Sequence, residues 1–284
     1  MREDSPSATA LSVAMARAAH QVMDRPTVFD DPLALRIAGV EAEPERLLDP
    51  RWRARTPLAS RLRAFLVARS RYAEDALHAA VARGARQYIV LGAGLDTFAY
   101  RNPYPAETLR VFEVDHPATQ GWKRARLADA GIAVPGSVTF SPVDFERETL
   151  EDGLRRAGFD NGLGTFFSWL GVTPYITSGA IASTLRFVAT LPAGSGIVFD
   201  YTVPPSSLDP GARLAFDGLA QRVAAAGEPF RSFFDPSALA DNLGTMGFGE
   251  IEDLGPDALN ARYFRGRADD LRVSGPAHVV NATV

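Results

Sequence analysis

A chain of 284 residues with 46% hydrophobic and 23% charged side chains is long enough for one large α/β domain with insertions and too apolar to stay unfolded. The net charge of -4, without any lysine-rich run, gives no basic footprint for nucleic acid, and no apolar stretch approaches the roughly 18 residues of a membrane span. With no cysteine there is no disulfide, thiolate metal site or thiol nucleophile; neither nucleic acid nor membrane is an expected partner, and the cytoplasm is the expected location.

Ser5-Pro6 reads as an N-cap followed by proline at the first helical position, opening a helix that runs to about Asp24 with Leu11, Met15, Ala18, Ala19 and Val22 on one stripe. A two-proline loop (25–34) leads into a short helix from Asp31 to Ile37. Residues 39–56 look irregular and polar. A long helix follows from Pro57 to Arg83, with Gly84 closing it. Its apolar stripe runs through Leu58, Leu62, Phe65, Leu66, Tyr72, Ala73, Ala76, Leu77 and Ala80.

Beyond Gly84, short apolar runs alternate with helical stretches. Strands are expected at 87–92, 109–114, 137–142, 164–170 and 195–201, with helices near 117–129, 146–157 and 178–190 between the later ones. A helix near 236–246 precedes two last strands, 248–254 and 277–284. Continuous apolar strands separated by helices predict a doubly wound, mostly parallel seven-stranded sheet covered on both faces. Residues 202–235 are too long for a plain connection and read as a cap insertion after the fifth strand, with a helical piece at 210–226. The expected division is an N-terminal helical cap and lead-in helix (1–84) and an α/β domain (85–284), integrated as one unit. The N-terminal helices are expected to cover the same mouth as the insertion.

The stretch YIVLGAGLDTFAYR (88–101) runs from a strand into a glycine pair. Gly92 and Gly94 let backbone approach a ligand without Cβ interference. A dinucleotide fingerprint needs a third glycine where Thr97 stands, and Asp96 would repel a phosphate while suiting an ammonium or sulfonium group. A purely structural tight turn remains open. Asp115, twenty-one residues beyond Gly94 at the end of the next strand, fits an acid bonding ribose hydroxyls, or else an N-cap for the helix opening at Pro117. Asp144 and Phe145, past the following strand, fit adenine recognition or helix capping. Arg69 falls inside the apolar stripe of the long helix, where a guanidinium needs an anionic partner: an internal acid such as Asp96, or a ligand carboxylate. A carboxylate, an ammonium, a ribose and an adenine together describe S-adenosylmethionine.

The same residues carry a resemblance. ARSRYAED (68–75), VLGAGLDTFAYR (90–101), VFEVDHPATQGWKRARL (111–127) and LNARYFRGR (259–267) resemble the leucine carboxyl methyltransferase-like family, in particular its bacterial branch of S-adenosylmethionine-dependent O-methyltransferases, which includes polyketide carboxyl methyltransferases. The likeness covers almost the whole chain. It implies the class I methyltransferase fold, S-adenosylmethionine as cofactor and a place in secondary metabolism. By this resemblance Arg69 holds the methionine carboxylate, Gly92 the methionine backbone, Asp115 the ribose, and Asp144 with Phe145 the adenine. One departure stands out: many relatives carry glutamate-glycine after the fourth strand, and here Leu170 takes the glutamate's place.

Methyl transfer from a sulfonium is an in-line displacement that asks for alignment and exclusion of water. A carboxylate acceptor is ionised near neutral pH and needs no general base; none is identifiable among His20, His78, His116 and His278. The expected reaction is O-methylation of a small molecule, a carboxylate being favoured over a phenol or alcohol. Tyr201, Arg262 and Tyr263 are the expected acceptor contacts, although Arg262 pairing with an acid and Tyr263 packing are equally consistent with the sequence. Phe166, Phe167 and Trp169 read as sheet core, with Trp169 alternatively lining the acceptor side. A non-catalytic binder of the same cofactor and a nicotinamide-dependent oxidoreductase are the alternatives.

Overall fold

The computed structural model describes residues 8–48, 56–144, 147–225 and 227–284. The chain begins with helix α1 (Ala8–Met23); the expected capping pair Ser5-Pro6 lies outside the described residues. Ala14, Met15, Ala18 and Ala19 are buried, while Val22 at the end of the stripe is exposed. Helix α2 (Ala34–Ala38) starts later than the sequence implies, because Asp31 is held in a turn, its carboxylate accepting from Leu33 N and from Thr97 Oγ1. Helix α3 (Pro57–Arg83) has the expected bounds: Thr56 Oγ1 accepts from Ala59 N, and Gly84 closes the helix at φ +113°. Leu58 and Leu62 stay exposed, so the buried stripe of α3 begins at Ala64.

The end of α1 is fastened to α3 by a buried carboxylate. Asp24 Oδ2 lies 2.7 Å from Arg63 Nε and 2.8 Å from His20 Nδ1. His20 Nε2 accepts from Val28 N, which leaves Nδ1 as the donor to Asp24. Burial opposes ionisation of Asp24, but the His20 and Arg63 hydrogen bonds and the Arg63 charge outweigh it and lower the carboxyl to about 2. A depressed carboxyl contributes its stability above its unfolded value of 3.8 and loses it as pH falls through its folded value. About 2 kcal/mol of stability is therefore expected to disappear between pH ~5 and pH ~2. A urea-unfolding series over that range checks it, and Asp24→Asn should flatten the slope.

Seven strands form one sheet in the order β3-β2-β1-β4-β5-β7-β6. They are β1 (Gln87–Leu91), β2 (Arg110–Asp115), β3 (Val138–Pro142), β4 (Thr165–Trp169), β5 (Gly196–Thr202), β6 (Glu250–Leu254) and β7 (Ala277–Thr283). All neighbours are parallel except β7, which runs antiparallel to both β5 and β6. This is the doubly wound, mostly parallel sheet expected, with the strand order of class I methyltransferases. Helices α4 (Pro117–Asp129), α5 (Leu150–Arg156) and α6 (Ser178–Ala189) connect the parallel strands. Helix α5 opens at Leu150 rather than 146 because Thr149 caps it, accepting from Asp152 N. The insertion after β5 contains α7 (Pro210–Ala225) and is followed by α8 (Pro236–Met246). Helix α9 (Pro256–Tyr263) falls in a stretch for which no element is expected.

Strand alternation divides the core. Val90, Val111, Phe166 and Val198 pack against α3 and α9, while Ile89, Phe112, Phe167 and Phe199 pack against α5, α6 and α8. A third cluster joins α1, α2 and α4 through Ala18, Ile37 and Leu127. Strand order reverses between β1 and β4, and the crevice outside the carboxyl ends of these strands is where an open α/β sheet takes its ligand. No helix among the described residues is long and apolar enough to cross a membrane.

Candidate functional site

A cavity of about 320 Å³ opens at that reversal, within the range of small-molecule sites. Its floor is the turn after β1. Gly92 sits at φ +64°, and a Cβ there would collide with Val172; Gly94, at φ +43°, donates its N–H to Asp115 Oδ2 at 2.6 Å. Asp115 Oδ1 accepts from His116 N at 2.7 Å. The cap of α4 is His116, whose Nδ1 accepts from Ala118 N, so Asp115 is not the capping residue and stands at the cavity wall. Burial pushes the Asp115 carboxyl up, against the pull of its two backbone hydrogen bonds.

Asp96 turns one oxygen to Phe98 N and the other toward Arg17 Nη1, 3.4 Å away. Burial works against its ionisation, but the charges of Arg17, Lys123 and Arg101 hold its carboxyl below the ordinary range. Arg17 comes from α1 and donates through Nη2 to Leu95 O, so the first helix grips the turn after β1 directly. Behind that turn Glu113 is fully buried, paired with Lys123 Nζ at 2.7 Å and accepting from Tyr100 OH.

Arg69 reaches the cavity from α3. Its internal partner is Asp200 on β5, Nη1 to Oδ2 at 2.5 Å, and not Asp96. Asp144 lines the cavity with Val143 and pairs with Arg147 at 3.3 Å; Phe145 lies outside the described residues. The structure thus brings Arg69, Gly92, Gly94, Asp96, Asp115 and Asp144 to one cavity. Two polar atoms on its lining residues, Thr119 Oγ1 and Arg17 Nε, are buried with no hydrogen-bond partner among the described residues; Arg17 Nε stands 3.5 Å from Asp31. A ribose and a charged amino acid moiety are the kind of ligand such a donor set fits: both cations and acids line the cavity, and no lysine does.

The roof is the cap. Thr9, Ala10, Val13 and Ala14 of α1 meet Gly227, Glu228, Pro229 and Arg231 of the insertion, and Thr9 Oγ1 donates to Glu228. The turn after β4 adds Leu170, Val172, Tyr175 and Ile176. Tyr175 stacks on Phe230 at 5.4 Å, which stacks in turn on Phe216.

Tyr201, Arg262 and Tyr263 are not brought to this cavity. Tyr201 faces the other side of β5, where its hydroxyl donates to Asp253 at 2.5 Å. Arg262 pairs with Glu252 at 2.8 Å over the ring of Tyr72, and Tyr263 donates to Asp75 at 3.0 Å. Trp169 is core. Of the four histidines only His116 lines the cavity. The residues that sequence reasoning passed over are Arg17, Thr119, Tyr175, Asp200 and Arg231. Arg17 and Asp200 left a signal, each being a charge set in a run of buried apolar residues.

Comparison with known proteins gives the setting. Residues 10–189 match the leucine carboxyl methyltransferase family. The chain is 35% identical over an alignment of 308 positions to the Bacillus subtilis protein named "Putative S-adenosyl-L-methionine-dependent methyltransferase YktD", covering 99% of both chains. A Mycolicibacterium paratuberculosis protein of the same descriptive name is 30% identical, with 96% of this chain and 91% of that one covered. Among solved structures, a "putative methyltransferase" from Thermobifida fusca superposes with a TM-score of 0.55 at 16% identity, covering 98% of this chain and 95% of the other; it supports the fold.

Proposed function

The chain belongs to the leucine carboxyl methyltransferase family, and on that premise we propose that it methylates the carboxylate of a small molecule. It is an S-adenosylmethionine-dependent methyltransferase, as its Bacillus subtilis relative is named. Bound S-adenosylmethionine supplies a methyl group on a positively charged sulfur, ready for displacement. Within this reading Arg69 takes the methionine carboxylate, Gly92 and Gly94 give it backbone room, Asp96 faces its amino group, Asp115 takes the ribose and Asp144 the adenine. The cap formed by α1 and the insertion excludes water and aligns the acceptor.

The observation that carries the acceptor class is the pair of groups at the cap end. Arg231 is exposed there with no carboxylate partner among the described residues, and its main chain is bonded to Pro174 next to Tyr175, a cavity-lining residue whose hydroxyl has no hydrogen-bond partner among the described residues. Burial, only partly offset by the nearby Arg69 charge and reinforced by the Asp200 and Glu228 carboxylates, pushes Tyr175 up to about 12, so at neutral pH it is a donor and not a base. A cation and a hydroxyl donor suit an anion that is already ionised.

Calorimetric titration with S-adenosylmethionine, S-adenosylhomocysteine and NAD is the first experiment, followed by transfer of labelled methyl to carboxylate and phenol panels. Binding of the first two, base-labile ester products and a rate flat between pH 6 and 8 are expected. A rate climbing with pH on a phenol would replace the acceptor class, and binding without transfer to any acceptor would leave a binding protein. Arg231→Ala is expected to raise the acceptor KM about tenfold, roughly 1.4 kcal/mol, with S-adenosylmethionine affinity held within twofold.

A further inference from the structure

Arg69 and Asp200 are 6% and 4% exposed, a buried ion pair at the wall of the cavity. Asp200 is the one carboxylate in ion-pair contact with Arg69 among the described residues, and Leu170, which lines the cavity beside it, brings no charge. The two oxygens of Asp200 divide their work. Oδ2 takes Arg69 Nη1, and Oδ1 accepts from Gly171 N at 2.5 Å, while Thr173 Oγ1 donates to the Asp200 main-chain oxygen. The carboxylate thereby joins α3 to the turn that follows β4.

That turn presses on the guanidinium. Gly171 lies at φ +74°, and a Cβ there would stand 2.8 Å from Arg69 Nη2 and 3.3 Å from Nη1. The Arg69 guanidinium carbon also lies over the Phe65 ring, 5.7 Å from its centre. Asp200, Gly171 and Phe65 leave the planar group little room to turn, and Nη2 and Nε make no hydrogen bond to the described protein. Those are the donors left for a ligand, in a fixed fork geometry that matches a carboxylate.

We propose that Asp200 is a positioning residue, which acts through Arg69 to aim the free edge of the guanidinium at the amino acid carboxylate of the bound cofactor. The proposal rests on the S-adenosylmethionine reading of the site. Asp200 touches neither the cofactor nor the acceptor, so its effect is confined to ligands that carry the carboxylate.

The test uses two probes, S-adenosylhomocysteine, which has that carboxylate, and 5′-methylthioadenosine, which lacks the whole amino acid end. Asp200→Asn keeps the shape and the Gly171 hydrogen bond but not the charge. It is expected to weaken S-adenosylhomocysteine binding about tenfold and to leave 5′-methylthioadenosine within twofold. In an Arg69→Met background, Asp200→Asn should add less than twofold to the loss. Equal weakening of both probes, or unchanged S-adenosylhomocysteine affinity, overturns the proposal. Gly171→Ala retains both charges and displaces the guanidinium sterically, and it carries the same ligand split where Asp200→Asn does not fold. Failure of the unaltered protein to bind either probe would defeat the cofactor reading itself, whereas binding of both with an unchanged ratio in the variants defeats only the role of Asp200.

Discussion

Asp115→Ala is expected to weaken S-adenosylmethionine binding by about 3 kcal/mol, roughly two orders of magnitude in Kd. Two losses add. The carboxylate is the proposed acceptor for the ribose hydroxyls, and charge-assisted hydrogen bonds of this kind are each worth about 1.5–3 kcal/mol. It also holds the floor in shape, because its oxygens accept from Gly94 N and His116 N. With the side chain gone, the Gly94 N–H loses its partner and the turn after β1 loosens where the ligand must lie. Asp115→Asn should sit between the two, since the amide oxygen can serve one of the backbone donors while the amide nitrogen faces the other. Calorimetry on the folded variants decides it, and unchanged affinity in folded Asp115→Ala would sink the ribose assignment.

Much of this arrangement was legible before the structure, for a definite reason. The acids after β1, β2 and β3 fall where strands end, and strand ends are marked by glycine and by the change from apolar to polar residues. Arg69 was legible because a charge inside a helical apolar stripe must be answered. Its partner was not. Strand β5 is buried along its whole length, so hydrophobicity carries no alternation to say which side chain faces the crevice. Asp200 shares the α3 side with Val198, and Tyr201 shares the opposite side with Phe199. Tyr201 therefore has the wrong parity to face this cavity. Arg262 and Tyr263 find Glu252 and Asp75, the latter 188 residues away in sequence, and no local pattern announces such partners. Helix α9 opens on Gly255-Pro256 and spans only eight residues, too few for periodicity to mark it. Arg231 and Tyr175 come together because the insertion folds back, Arg231 N donating to Pro174 O at 2.7 Å, and that return is a property of the packed cap.

The second large effect separates the two tasks that fall on Arg69. Arg69→Met leaves the Asp200 carboxylate buried without its counter-charge, and removal of one member of a buried pair costs about 3–5 kcal/mol. The expected result is therefore a loss of that size in the unfolding free energy of the cofactor-free protein, together with a loss of S-adenosylmethionine affinity. Stability alone could fall for either of two reasons, so the double variant matters. Adding Asp200→Asn to Arg69→Met removes the uncompensated charge, and it should return most of the lost stability while returning none of the affinity. Chemical denaturation and calorimetry on the same four proteins complete the cycle. If stability and affinity recover together, Arg69 acts on the ligand only by keeping the wall in place. If stability recovers and affinity does not, the guanidinium itself meets the cofactor, and the buried pair is there to hold it at the angle at which it does so.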